Sequence, residues 1–183
     1  MKYKKWNLAA PERSAVEGLR GAGLPALAAL VLCARGLDAP EAAKDFLSAG
    51  EAPLLDPFLL KDMDRAAERL QLALDRQEPI AVYGDYDVDG ITSTCLLTQF
   101  LRSRGGNIIP YIPDRMEEGY GLNREAVDHL HQAGVGLIVT VDCGITAAAE
   151  TDYACGLGME VIITDHHECK EVFPAAVAVV DPH

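Results

Sequence analysis

Ile80-Ala-Val-Tyr-Gly-Asp-Tyr-Asp-Val-Asp-Gly-Ile-Thr-Ser-Thr94 decides how the rest of the chain is read. Ile80 to Tyr83 is a short apolar, partly β-branched run closed by Gly84, the pattern of a buried strand passing into a loop. Asp85, Asp87 and Asp89 follow at every second residue. On an extended chain alternate side chains point the same way, so three carboxylates would crowd one small volume and repel unless a cation sits among them. Gly90 then precedes an amphipathic segment, Ile91 to Arg102, with Leu96, Leu97, Phe100 and Leu101 at helical spacing. The acids therefore fall at the carboxyl end of a strand, where open α/β sheets bind ligands. An Asp-rich turn would account for one or two acids but not for three in alternation. The spacing also lacks the further oxygen ligands and the closing Glu of an EF-hand loop.

Upstream of this stretch, Ser14 to Gly50 reads as helical. Pro25 opens one helix and Gly36 closes it, and Asp38-Ala-Pro-Glu41 has the form of a capping box before a helix from Pro40 to Ser48. A connector over Ala49 to Pro57 follows, and then an apolar stripe of Met63, Ala66, Ala67, Leu70 and Leu74 that ends before Pro79. Residues 1–78 are expected to form a small amino-terminal helical cap, and residues 79–183 an α/β domain.

Downstream, strands are expected at Asn107 to Ile112, Leu137 to Val141, Val161 to Thr164 and Val177 to Val180, and helices at Asn123 to Ala133, with an Asn cap, and Thr146 to Ala154. Short apolar runs separated by helices predict a doubly wound, mostly parallel sheet. Two further strand ends are polar: Asp142 after the run Leu137 to Val141, and Asp165, His166 and His167 after the run Val161 to Thr164. A parallel sheet puts all carboxyl ends on one edge, so the acids and imidazoles of three strands would converge. That donor set suits Mn²⁺ or Mg²⁺, and the carboxylates suffice for a two-ion site doing hydrolytic phosphoester chemistry.

Composition bounds the reading. With 28 acidic residues against 16 Lys and Arg, the net charge of −12 opposes contact between bare protein surface and a polyanion. The longest apolar run, near Leu24 to Ala34, is too short to cross a bilayer, and the lysines of Met1 to Lys5 precede no signal-peptide core, so a soluble cytoplasmic protein is expected. Cys33, Cys95, Cys143, Cys155 and Cys169 contain no Cys-x-x-Cys pair and are read as buried, unpaired thiols packing in the interior.

Val82-Tyr-Gly-Asp-Tyr-Asp-Val-Asp-Gly-Ile-Thr-Ser, Val141-Asp-Cys-Gly-Ile and Thr164-Asp-His-His-Glu resemble motifs I, II and III of the DHH phosphoesterases. The likeness is strongest to the single-strand-specific 5′→3′ DNA exonucleases of that family, and it extends to Leu55-Asp-Pro-Phe-Leu-Leu-Lys-Asp-Met, Tyr111-Ile-Pro-Asp-Arg-Met-Glu-Glu-Gly-Tyr-Gly-Leu and Val177-Ala-Val-Val-Asp-Pro-His. The resemblance implies Asp87, Asp89, Asp142 and His166 as metal ligands, with Asp85 beside them as ligand or supporting acid. It further implies that Asp165 orients an imidazole and that His167 faces the scissile phosphate. Mn²⁺ is the implied ion, with Mg²⁺ the alternative and two ions in a complete enzyme; the implied substrate is single-stranded DNA, in repair and recombination. A fourth acidic motif and later domains of such enzymes are not in this sequence, which is therefore expected to be an amino-terminal fragment, weak or inactive alone. Two other functions fit the same fold: a DHH phosphoesterase of short oligonucleotides or cyclic dinucleotides, and a non-catalytic binding module. Retention of all the acids disfavours the second.

Overall fold

The computed structural model describes residues 7–48, 54–116, 118–169 and 172–183. The chain divides into two compact units, Met1–Leu55 and Asp56–His183. In the first, helices α1 (Arg13–Gly21), α2 (Ala26–Ala34) and α3 (Pro40–Leu47) close on Val16, Leu19, Ala29, Leu32 and Ala43. The capping box expected at Asp38 does not form. Pro40 takes the first helical position, which puts Ala39 at the cap with no side-chain bond and leaves Asp38 one residue too early. Residues 49–53 of the expected connector lie outside the described residues.

The second unit is a five-stranded, wholly parallel sheet in the order β2-β1-β3-β4-β5, from Asn107–Tyr111 (β2), Pro79–Tyr83 (β1), Leu137–Val141 (β3), Glu160–Thr164 (β4) and Ala178–Val180 (β5). The doubly wound expectation holds. Alternate residues of the strands feed two cores. Ala81, Tyr83, Ile138, Val161 and Ile163 pack with α6 (Arg124–Gln132) and α7 (Ala148–Gly156), whereas Ile80, Val82, Leu137, Val139 and Ile162 pack with α4 (Met63–Asp75) and α5 (Val88–Ser103). Both faces are covered, which is why β1 and β3 read as unbroken apolar runs rather than alternating ones. Because α4 shares the second core with the sheet, the compact unit begins at Asp56, ahead of the 78/79 boundary read from sequence.

Each edge strand lacks a free outward N–H at one position. On β2, the Tyr111 carbonyl accepts from Gly84 N–H, so neighbouring Pro110 faces outward, where its missing N–H costs no ladder bond. On β5, the outward Val179 N–H donates to the Asp62 carboxylate (3.2 Å).

The order of strands reverses between β1 and β3, making their carboxyl ends the switch point of the sheet. Here α5 starts at Val88, three residues earlier than its apolar periodicity suggested, because Asp87 caps it: the carboxylate accepts from Asp89 N–H (2.9 Å) and Gly90 N–H (3.0 Å). The early start depends on two glycines. A Cβ on Gly84 would run into the Thr94 hydroxyl and Gly90 carbonyl, and one on Gly90 into the Asp85 backbone. Gly90→Ala should therefore lower unfolding free energy by about 2 kcal/mol or more, measured in urea. Gly156→Ala at the end of α7, where a Cβ meets nothing within 4 Å, should be neutral or stabilising by up to ~1 kcal/mol; equal effects of the two would show that the close approach is not needed.

Candidate metal centre

The helix starting at Val88 changes the disposition expected for the three alternating acids. They do not share one face of an extended chain. Asp85 is buried at the β1 exit, with one carboxylate oxygen on Tyr86 N–H (2.6 Å), Asp87 stands exposed at the helix cap, and Asp89 is exposed on the first helical turn. Among the described residues, Asp89's carboxylate joins none of the contacts below.

At the end of β3, Asp142 adopts a left-handed backbone conformation (φ 62°), which Asp tolerates better than most residues. Its N–H donates to the Thr164 carbonyl (3.0 Å), and its buried carboxylate lies 2.9 Å from His166 Nε2. It is not a helix cap: α7 begins at Ala148 with Ala147 before it and no side-chain cap. The Asp87 and Asp142 carboxylates lie near enough to shift each other's titration. Burial, and then the Asp87 charge, push the Asp142 carboxyl above the usual range against the pull of the two histidines. Asp87 goes the other way, held low chiefly by the Gly90 N–H.

At the end of β4, Asp165 is a hub. Its Oδ2 accepts from Ile145 N–H (2.9 Å), and its Oδ1 from His166 N–H (2.7 Å) and His167 N–H (3.2 Å), with His167 Nδ1 at 2.7 Å. Burial alone would raise the Asp165 carboxyl, but these donors outweigh it and hold it low. The same contact raises His167. His166 thus faces Asp142 through Nε2, while His167 is bound at Nδ1 to Asp165 and borders a cleft.

The ligand atoms of Asp142, His166 and His167 all lie within 4.8 Å of one another, a carboxylate and two imidazoles of the kind that hold hard or borderline divalent ions. No thiolate competes. Cys143 is buried and its thiol is pushed up by that burial, so it packs as a small apolar group. Of the other cysteines, Cys33 and Cys169 are half-buried and Cys95 and Cys155 exposed, contrary to the expectation that all five are interior. Asp165 borders two clefts, one of about 250 Å³ reaching His166 and Asp142 and one of about 240 Å³ reaching His167. A larger cavity of about 760 Å³ beside α7 holds none of the converging histidines and aspartates.

Sequence reasoning gave no role to three residues that border this centre. Tyr120 places its hydroxyl 3.5 Å from His167 Nε2 and its ring edge-on to His167 and to Tyr86, and the Arg115 guanidinium lies 5.1 Å over the Tyr86 ring. The available signal was Gly119-Tyr120-Gly121, an aromatic between two glycines that both take positive φ.

A parallel sheet whose switch point gathers aspartates and a His-His pair from three strand ends defines a class, and residues 79–183 match the DHH family, N-terminal domain. The chain belongs to that family. It is similar to the single-stranded-DNA-specific exonuclease RecJ of Bacillus subtilis (strain 168), 41% identical over 179 residues that make up 97% of this chain and 23% of that protein. The RecJ of Escherichia coli (strain K12) is 45% identical over 125 residues, 68% of this chain and 22% of that one. Among solved structures, RecJ in complex with Mn²⁺ from Thermus thermophilus superposes with TM-score 0.68 at 34% identity, over 96% of this chain and 24% of that one. Exonuclease RecJ bound to manganese gives 0.65 at 43%, over 70% and 33%. The chain spans about a quarter of the length of the curated relatives it matches.

The Asp165–His167 pair has a defined pH window. Asp165, lowered from its ordinary 3.8, contributes stability above that value and loses it as pH falls through the lowered one. His167, raised from 6.5, contributes below that value and loses it as pH rises through the raised one. Asp165→Asn should return the His167 titration midpoint toward about 6.5, read from the imidazole NMR signals. An unmoved midpoint would assign the shift to other groups.

Proposed function

We propose that the chain carries the metal centre of a phosphodiesterase that cleaves single-stranded DNA from its 5′ end, in cytoplasmic DNA repair and recombination. The observation that carries this reading is the convergence of the Asp142, His166 and His167 ligand atoms at the switch point, with Asp87 close enough for its charge to raise Asp142 and the His167 ring tied back by Asp165. The likeness to RecJ proteins, and the manganese or magnesium bound in their solved structures, support the choice of substrate and ion.

Asp87, Asp142 and His166 are the proposed ligands, with Asp85 supporting them from beneath. Asp89 belongs to the same acidic rim with less geometric support. Mn²⁺, or Mg²⁺ in its place, would supply a Lewis acid for a phosphoryl oxygen and lower the pKa of a bound water, with carboxylates enough for two ions. His167 suits contact with phosphate better than ligation. Asp165 favours its protonated form and occupies Nδ1, leaving Nε2–H to donate to a phosphoryl oxygen. The net charge of −12 works against strand binding, so hydrolysis by this chain alone should be slow.

Calorimetric titration with Mn²⁺ tests the centre. Asp142→Asn should weaken binding at least ~10-fold and abolish most of the Mn²⁺-induced rise in melting temperature. Equal binding by wild type and variant would place the ion elsewhere. With 5′- and 3′-labelled single strands, slow Mn²⁺-dependent mononucleotide release from the 5′ end is expected; release from the 3′ end first would refute the assigned polarity.

A further inference from the structure

Tyr120 reaches His167 from the segment joining β2 to α6, residues 112–122, and both flanks of that tyrosine are pinned to the sheet. Tyr83 of β1 and Tyr111 of β2 are register partners whose rings stack at 5.2 Å with 12° between planes. The Tyr83 hydroxyl donates to the Gly121 carbonyl (2.9 Å), one residue after Tyr120. The Tyr111 hydroxyl donates to Glu118 Oε1 (2.6 Å), two residues before it. Glu118 Oε2 in turn accepts from Asp114 N–H (2.6 Å) near the start of the segment. Asn123 completes the tie: its amide donates to the Tyr83 hydroxyl (3.2 Å) and reaches Glu118, while its carbonyl oxygen caps α6 through Ala126 N–H (2.8 Å).

We infer that Glu118 is a positioning residue for His167, a carboxylate that latches this segment to the stacked tyrosines and so fixes where Tyr120 meets the imidazole. The role of His167 rests on the function proposed above; the latch rests only on geometry. Both Glu118 oxygens are engaged by this segment and the strand before it. Burial would raise its carboxyl, yet the Tyr111, Asp114 and Asn123 donors outweigh burial and keep it low, so the latch is charged. Burial and Glu118 push the Tyr111 hydroxyl up to about 12, which keeps it a donor. Gly119 and Gly121 take φ of 81° and 78°, so the backbone around Tyr120 is turned at both neighbours, and its direction depends on where those flanks are held. An amide here could still face its oxygen to the Asp114 N–H and its NH₂ to the Tyr111 oxygen, so only loss of the whole carboxylate, as in Glu118→Ala, removes both ties.

The test uses the metal-free whole chain and follows the nuclear Overhauser effect between the Tyr120 and His167 rings. In Glu118→Ala, which removes both ties, and in Tyr111→Phe, which removes one hydroxyl and spares the ring stack, the signal should fall to less than half its wild-type intensity. In Tyr153→Phe, which removes a comparable bond to Asp128 between α6 and α7, it should be unchanged. An undiminished signal in both latch variants overturns the inference, as does an equal loss in Tyr153→Phe, which would mark a general loosening. Mn²⁺ titration of the same samples separates the two readings. Binding retained in Glu118→Ala with the ring signal lost supports the latch, whereas absence of Mn²⁺ binding in wild type defeats the proposed function and leaves the ring measurement to decide this one.

Discussion

The close approach of the β1 exit to the first turn of α5 is the contact on which the rest depends. Only hydrogen at Gly84 and Gly90 lets the strand end and the helix start touch. That contact allows Asp87 to cap the helix, and the cap in turn fixes the carboxylate beside Asp142 of the neighbouring strand. A looser junction would still bury the same apolar residues. It would not hold two like charges within reach of each other.

Around that point the two histidines of one dipeptide are given different surroundings. His166 meets the acid whose carboxyl is raised, and His167 meets the acid whose carboxyl is lowered. The difference comes from the backbone: three N–H groups converge on Asp165, whereas Asp142 has the Asp87 charge as its neighbour. One imidazole thus sits against an uncompensated buried acid and the other against an acid already satisfied by backbone donors. The rings stand 4.6 Å apart, so this separation of roles is local and needs no large cavity.

The sheet was legible in the sequence because its strands are buried on both faces, and β3 in particular is a run of five apolar or buried residues with no ambiguity of period. The convergence of Asp142, Asp165 and His166 followed from parallel topology alone. The spread of Asp85, Asp87 and Asp89 did not, because alternation suggests an extended chain, and only the cap bonds reveal that a helix has begun at Val88. Asp38 shows the same limit, since the placement of Pro40 decides which residue is the cap. The Tyr83–Gly121 and Tyr111–Glu118 bonds were also out of reach. They join residues across a segment with no periodicity, and the partners are chosen by the register of β1 with β2.

Pro110 and the Asp62–Val179 bond occupy the two margins of the sheet, and together they determine how this unit can meet other molecules. Each removes one outward donor from an edge strand and so hinders a second copy, a misfolded chain or a peptide from adding a further strand there. The carboxyl edge of the sheet, with its acids and imidazoles, is a border at which the strands themselves present chemistry to the outside.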